Sequence, residues 1–212
     1  MKDGQRKIQF CGIVRTVQVR SDVWRYLVDN RTHSHTGYNV FLEVTADGEE
    51  RRFCVAISER QQKKCHIHTG DKVSGTAWTK LYPNREYADY YRAGALKMLE
   101  RGSEPDEDTR EPWTGEVEPL RVYAERQCRM LDKRRYNSKC CSCKWAAMAN
   151  VTIEYDFGRS QRFRFESFCY GPKSCKLYTM GRPRAVPYKG MNGVFDEGWL
   201  DEDMTAHRGW DE

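Results

Sequence analysis

The chain has 212 residues, 39% of them hydrophobic and 32% charged, with a net charge of +5 and a mean hydropathy of −0.87. That apolar content supports a core and is too patterned for a disordered chain, and no run approaches the roughly 18 apolar residues of a membrane span. The first residues, MKDGQRKIQF, lack the apolar stretch of a secretory signal, so a cytoplasmic protein is expected, in which nine reduced cysteines point to metal rather than to disulfides.

Taken in chain order, the first block is dominated by period-2 alternation. Strands are expected over Ile8–Arg20, Tyr38–Thr45 and Arg51–Ile57, the latter two separated by a turn at Ala46-Asp47-Gly48. Ser58 is placed to cap a short helix, ERQQKKC, and Gly70-Asp71 introduces a fourth strand, Lys72–Leu81. A last segment, Ala95–Leu99, reads as a fifth strand, although Tyr87–Leu99 also tolerates a helix. Residues 104–119 are acidic and carry three prolines, the composition of a solvated linker. Leu120–Arg135 has helical spacing, with Pro119 at its start and a basic last turn, and Cys128 falls on its apolar side as a core residue. Ala149–Tyr155 and Arg162–Phe168, joined by a turn at 156–159, read as a β-hairpin. A basic arm, MGRPRAVPYKG, then leads to an acidic, aromatic tail over 191–212.

Charge follows these divisions. The net charge is +6 over 1–103, −6 over 104–118, +4 over 119–135, +7 over 136–190 and −6 over 191–212. Basic folded blocks are thus separated and ended by acidic strips, which suits a surface that meets polyanions.

Three strands, a short helix and two more strands are the order of an OB-fold, and HTGDKVSGTAW resembles the fourth-strand entry of OB domains. The resemblance covers roughly residues 8–101. It implies a five-stranded barrel that binds single strands on the face of strands 2 and 3, through stacking rings and a basic groove. Candidates for that face are Trp24, Tyr26, Tyr38, Arg51, Arg52 and Trp78. Tyr38 and Phe41 differ by an odd step and cannot share one strand face, so Phe41 is assigned to the interior, whereas Phe53 suits either side.

The hairpin brings two cysteine pairs together. Cys140 and Cys143 form C-x2-C, a spacing that presents two thiolates to one ion at about 2.3 Å. Cys169 and Cys175 form C-x5-C, with Gly171-Pro172 supplying the bend. Two such pairs joined by a hairpin resemble a zinc ribbon, although the second spacing departs from the usual one. The expected cofactor is one structural Zn²⁺, and a [4Fe–4S] cluster uses the same four ligands. Around them Lys144, Arg162, Arg164, Lys173, Arg182 and Arg184 are candidates for phosphate contacts, with Arg162 and Arg164 on an exposed basic face and Phe163 and Phe165 on a buried one.

The sequence therefore reads as mainly β (α+β). Its parts are an OB-like barrel (1–103), an acidic linker (104–119), a helix with a four-cysteine, zinc-ribbon-like unit and basic arm (120–190), and a tail (191–212) that resembles those of single-strand-binding proteins and offers a protein partner a docking point. Binding of single-stranded DNA or RNA without catalysis is the expected function. An adaptor subunit and a metal-dependent hydrolase or nuclease using His33, His35, His66 and His68 are the alternatives. No P-loop, G-x-G-x-x-G, G-x-S-x-G or H-E-x-x-H motif is present.

Overall fold

A computed structural model describes residues 4–25, 31–46, 49–103, 111–155, 160–182, 184–188, 191–195 and 198–209. The chain is mainly β. Strands β1 (Lys7–Arg25), β2 (Arg31–Ala46) and β3 (Glu49–Ile57) are followed by helix α1 (Glu59–Cys65), then by β4 (Lys72–Thr79) and β5 (Tyr90–Glu100). The expected strands are all found, and β1 and β2 run longer than the alternation suggested. Ser58 accepts from the N–H of Gln61 and the Gln61 side chain bonds back to Ser58 N–H, a capping box that starts α1.

β1 pairs antiparallel with both β2 and β4, β2 with β3, and β4 with β5. β3 meets β5 in parallel at Val55 and Tyr90, so the five strands close into a ring. At Gly12 the backbones of β1 and β2 approach closely: a Cβ there would lie 2.8 Å from the Glu43 carbonyl oxygen. A register shift between Val14 and Thr16 leaves Arg15 outside the ladder. Val14, Val17 and Val19 are consequently all buried in one core with Phe10, Val40, Leu42, Val55, Ile57, Val73 and Ala77.

The rest of the chain continues the same sheet. Helix α2 (Leu120–Arg126) ends at Gln127, whose φ of 57° breaks it, and β6 (Arg129–Met130) then pairs with the end of β8. The single helix expected to reach Arg135 is therefore three pieces, because Arg129 and Met130 are taken by the sheet. Asp132 caps a short helix, α3 (Lys133–Arg135), which passes into a π-helical turn, Tyr136–Cys140. β7 (Ala146–Tyr155) and β8 (Ser160–Cys169) form the expected hairpin, whose turn at 156–159 lies outside the described residues. β7 joins the ring by parallel pairing of Asn150–Ile153 with Asp22–Arg25. A second small sheet, β9 (Arg184–Tyr188) with β10 (Met191–Phe195), precedes helix α4 (Gly198–Met204).

The two acidic strips are less free than their composition suggested. In the linker, Val117 is buried, Trp113 packs against the core, and Trp113 carbonyl accepts from Lys144 N–H; residues 104–110 lie outside the described set. In the tail, Asp201 is buried and accepts from Met130 N–H at 2.6 Å, and Glu202 pairs with Lys173 at 3.2 Å. α4 is thus packed on β6 rather than solvated.

The basic face expected on β8 is also corrected. Arg164 and Glu166 lie opposite the buried Val151 and Ala149. Glu166, 1% exposed, accepts from both Arg25 and Arg164, so that face carries a buried ion triad that ties β8 to β1 across β7. Phe165 on the other face packs against Tyr87. No helix among the described residues is long and apolar enough to cross a membrane.

Candidate functional site

The C-x2-C turn is held from below by β1. Beyond the bulge, the alternation turns Thr16 and Gln18 away from the ring interior. Thr16 Oγ1 donates to Ser142 carbonyl, and the buried Gln18 amide reaches the carbonyls of Cys140, Cys141 and Cys143 at 3.3, 3.2 and 2.9 Å. Gln18 Oε1 in turn accepts from Tyr136 O–H at 2.7 Å. The second cysteine loop is clamped by arginines: Arg126 and Arg208 both donate to Tyr170 carbonyl, Arg208 also to Gly171 carbonyl, and Arg129 to Pro172 carbonyl.

None of the nine cysteines, all among the described residues, is in a disulfide, and Cys140, Cys143 and Cys169 are buried. Burial, with neighbouring Cys169 and Cys175 adding to it, pushes the Cys140 thiol up to about 12. Burial likewise pushes Cys143 up to about 12, with Cys169 and Cys140 adding to the rise, and raises Cys175 beside Cys169. Backbone hydrogen bonding at Trp145 and Trp113 opposes the rise at Cys143, and that at Leu177 and Tyr178 the rise at Cys175, and Gly171 N–H lies 3.4 Å from Cys169 sulfur. Such N–H donors favour the anionic thiolate, which is the form that ligates metal. Among the described residues, however, no three His, Cys, Asp or Glu side chains converge into a metal-holding group.

A recess of about 270 Å³ opens beside β2 and β3 and is lined by Arg15, Phe41, Leu42, Arg52, Phe53, Cys54, Tyr87 and Asp89. Glu43, itself buried, pairs with both Arg15 and Arg52. The hydrogen bonds from Arg52 and Arg15 hold the Glu43 carboxyl below its usual range. The two guanidiniums are fixed by it yet stay 56% and 76% exposed. A larger cavity, about 370 Å³, lies between α1 and the linker. In it Lys144 pairs with Glu118 at 3.2 Å, and His66 Nδ1 lies 3.5 Å from a Glu116 carboxylate oxygen.

The structure brings few of the sequence candidates to one surface. Arg52 lines the recess and Arg51 is exposed near it on β3. Trp24 is 36% exposed at the far end of β1, Trp78 is half-buried on β4, and Arg162 and Arg182 are exposed. Tyr26 and the side chain of Arg184 lie outside the described residues. Tyr38 is corrected: its ring is 2% exposed, with its hydroxyl donating to Glu118 carbonyl, while Phe41 is the one on the recess, the reverse of the sequence assignment. Val40 and Leu42 fill the ring, but the Tyr38 ring is drawn inward with them, which puts Phe41 opposite. Lys144 and Lys173 are corrected as well, because their side chains are only 13% and 7% exposed in pairs with Glu118 and Glu202. Arg15, Tyr87 and Arg85 were missed; no sequence pattern marks a bulge residue or a β4–β5 loop as part of a site.

The histidines serve several contacts. His33 stacks edge-on against Phe168 with Cys128 sulfur 3.5 Å away, and His68 lies 3.4 Å from buried Asp71. His35 bonds Ser21 Oγ at 2.9 Å among Tyr123 and Tyr170, and burial lowers its pKa from 6.5. Below pH 6.5 the unfolded chain therefore takes up a proton that folded His35 refuses, so stability falls as pH falls below that value. Urea unfolding at about pH 7.5 and about pH 5.5 is expected to show this loss, with a smaller loss in His35→Gln. Compared with protein-family models, curated proteins and solved structures, the chain matches none.

Proposed function

We propose that this protein binds single-stranded nucleic acid through an OB-like ring, with a zinc-ribbon-like cysteine unit as its structural brace and no chemistry of its own. The ring order β1-β2-β3-β5-β4, with α1 between β3 and β4, supports the OB reading. The observation that carries the function is the recess beside β2 and β3, where two exposed, oriented arginines stand among Phe41 and Tyr87. Tyr87 belongs to the connection between β4 and β5, and in OB domains that connection and the strand 2–3 face take oligonucleotides. Arginine pairs with phosphate while aromatic rings stack on bases of any sequence. The C-x2-C and C-x5-C spacing of Cys140, Cys143, Cys169 and Cys175 is what supports one Zn²⁺ here, with a [4Fe–4S] cluster as the alternative occupant, while among the described residues these side chains do not converge into a metal-holding group.

Fluorescence anisotropy of a labelled oligothymidylate, titrated at several salt concentrations, tests the reading. Binding should weaken with salt, and Arg52→Ala should flatten the log–log slope by about 0.7, the value of one phosphate contact on a single strand. Absence of binding by the wild-type protein at low salt would sink the proposal.

A further inference from the structure

Aromatic contacts continue beyond the recess. Phe41 meets Tyr87 at 6.4 Å between ring centroids, and Tyr87 meets Phe165 of β8 at 5.6 Å. Two residues along β8, on the same face, Phe163 carries the Arg85 guanidinium 3.8 Å above its ring. Tyr82, 46% exposed, lies 5.6 Å from that guanidinium on the other part of the same loop.

The loop that presents these groups is built, not loose. The Glu86 carboxylate accepts from Leu81 and Tyr82 N–H at 2.6 and 2.7 Å, closing the 81–86 turn. Asn150 of β7 accepts from Tyr87 N–H at 2.9 Å and donates to Asp22 of β1 at 2.8 Å, which pins the loop to the sheet where the hairpin joins the ring. Gln161 Oε1 takes one Arg85 N–H at 3.3 Å. An exposed arginine held over a phenylalanine ring is a surface on which a nucleobase stacks.

We infer that a bound single strand leaves the recess, crosses Tyr87 and Phe165, and ends on the Arg85–Phe163 stack of the hairpin, so that ring and hairpin form one binding track. This rests on the single-strand reading above. It assigns the β4–β5 loop and β8 a shared role that the ring alone does not require. The partner is a single strand longer than the recess accommodates.

The test compares oligothymidylates of about 4 and about 16 nucleotides, the span of OB-type sites. The short one should bind in the recess and the long one should bind more tightly. Arg85→Ala/Phe163→Ala should weaken the long oligomer about tenfold and leave the short one unchanged, whereas Arg52→Ala should weaken both. Arg85→Lys, which keeps the charge and loses the plane, should reproduce part of the loss. Unchanged binding of the long oligomer by the double variant, with Arg52→Ala still weakening both, would overturn the track and leave the recess standing. Equal losses on both lengths would also overturn it. If neither length binds the wild-type protein, the single-strand reading itself falls, and if only the long one binds, the recess is not a site by itself and the track is overturned. Thermal unfolding of each variant confirms that the exposed substitutions leave the fold intact.

Discussion

Glu166→Gln is expected to destabilise the fold by about 3–5 kcal/mol. The carboxylate is 1% exposed and receives Arg25 Nε at 3.1 and 3.0 Å, Arg25 Nη2 at 2.5 Å and Arg164 Nε at 2.5 Å. Arg25 is itself 5% exposed in its side chain. An amide keeps the shape and removes the charge, so a guanidinium stays in the core without its counter-ion, and that desolvation is not recovered. The effect is large against a typical domain stability of about 5–15 kcal/mol. Arg25 lies on β1 and Glu166 on β8, with β7 between them, so the loss should fall on the attachment of the hairpin to the ring. Urea unfolding should show a lower midpoint. A Glu166→Leu/Arg25→Met variant, which replaces the pair by apolar groups, should recover much of the loss. If the single variant unfolds with the wild-type midpoint, the triad contributes nothing and the account of how the two parts are joined is wrong.

Purified protein is expected to be colourless with one Zn²⁺ per chain, and Cys143→Ser should abolish metal retention and lower the melting temperature sharply. Structural zinc contributes an apparent binding free energy of about 10–16 kcal/mol in small zinc domains, and that energy is folding energy. The cysteine loops have few aliphatic side chains of their own. They are held instead by Gln18, by the arginine clamps on the carbonyls of residues 170–172, and by Trp113. A metal joining residues 140–143 to residues 169–175 would tie these supports into one unit. Metal analysis by mass spectrometry, a visible spectrum and melting with and without a chelator check this. A brown protein would assign an iron–sulfur cluster in place of zinc, and a metal-free protein whose melting point ignores both the chelator and Cys143→Ser would refute the centre.

The strands of the ring were legible because each has one buried face, so their alternation is written into residues two apart, as in Val40 and Leu42 or Val55 and Ile57. The same holds for α1, whose Ser58 and Gln61 signal its start locally. The hairpin was legible too, since a strand pair of equal arms returns the chain to its start. Other features depend on partners far away in the chain. The break of the predicted 120–135 helix is decided by the pairing of Arg129 and Met130 with β8, which helical periodicity does not record. Gln18 looks like an ordinary exposed strand residue until the bulge before it turns it under the C-x2-C turn.

Charge shows the same limit most clearly. Lysines and arginines around the cysteines read as a basic surface, yet Lys144, Arg164 and Lys173 each end beside a carboxylate, at Glu118, Glu166 and Glu202. Composition counts charges and says nothing of their neighbours; only packing chose which cations were buried in ion pairs and which stayed exposed, as Arg52 does beside Glu43 and Arg85 over the Phe163 ring. Residue order alone establishes a β-rich chain with closely spaced cysteines and a surplus of cations. Tertiary structure decided which of those cations face outward, because ion pairing acts across distances in space that have no counterpart in sequence spacing.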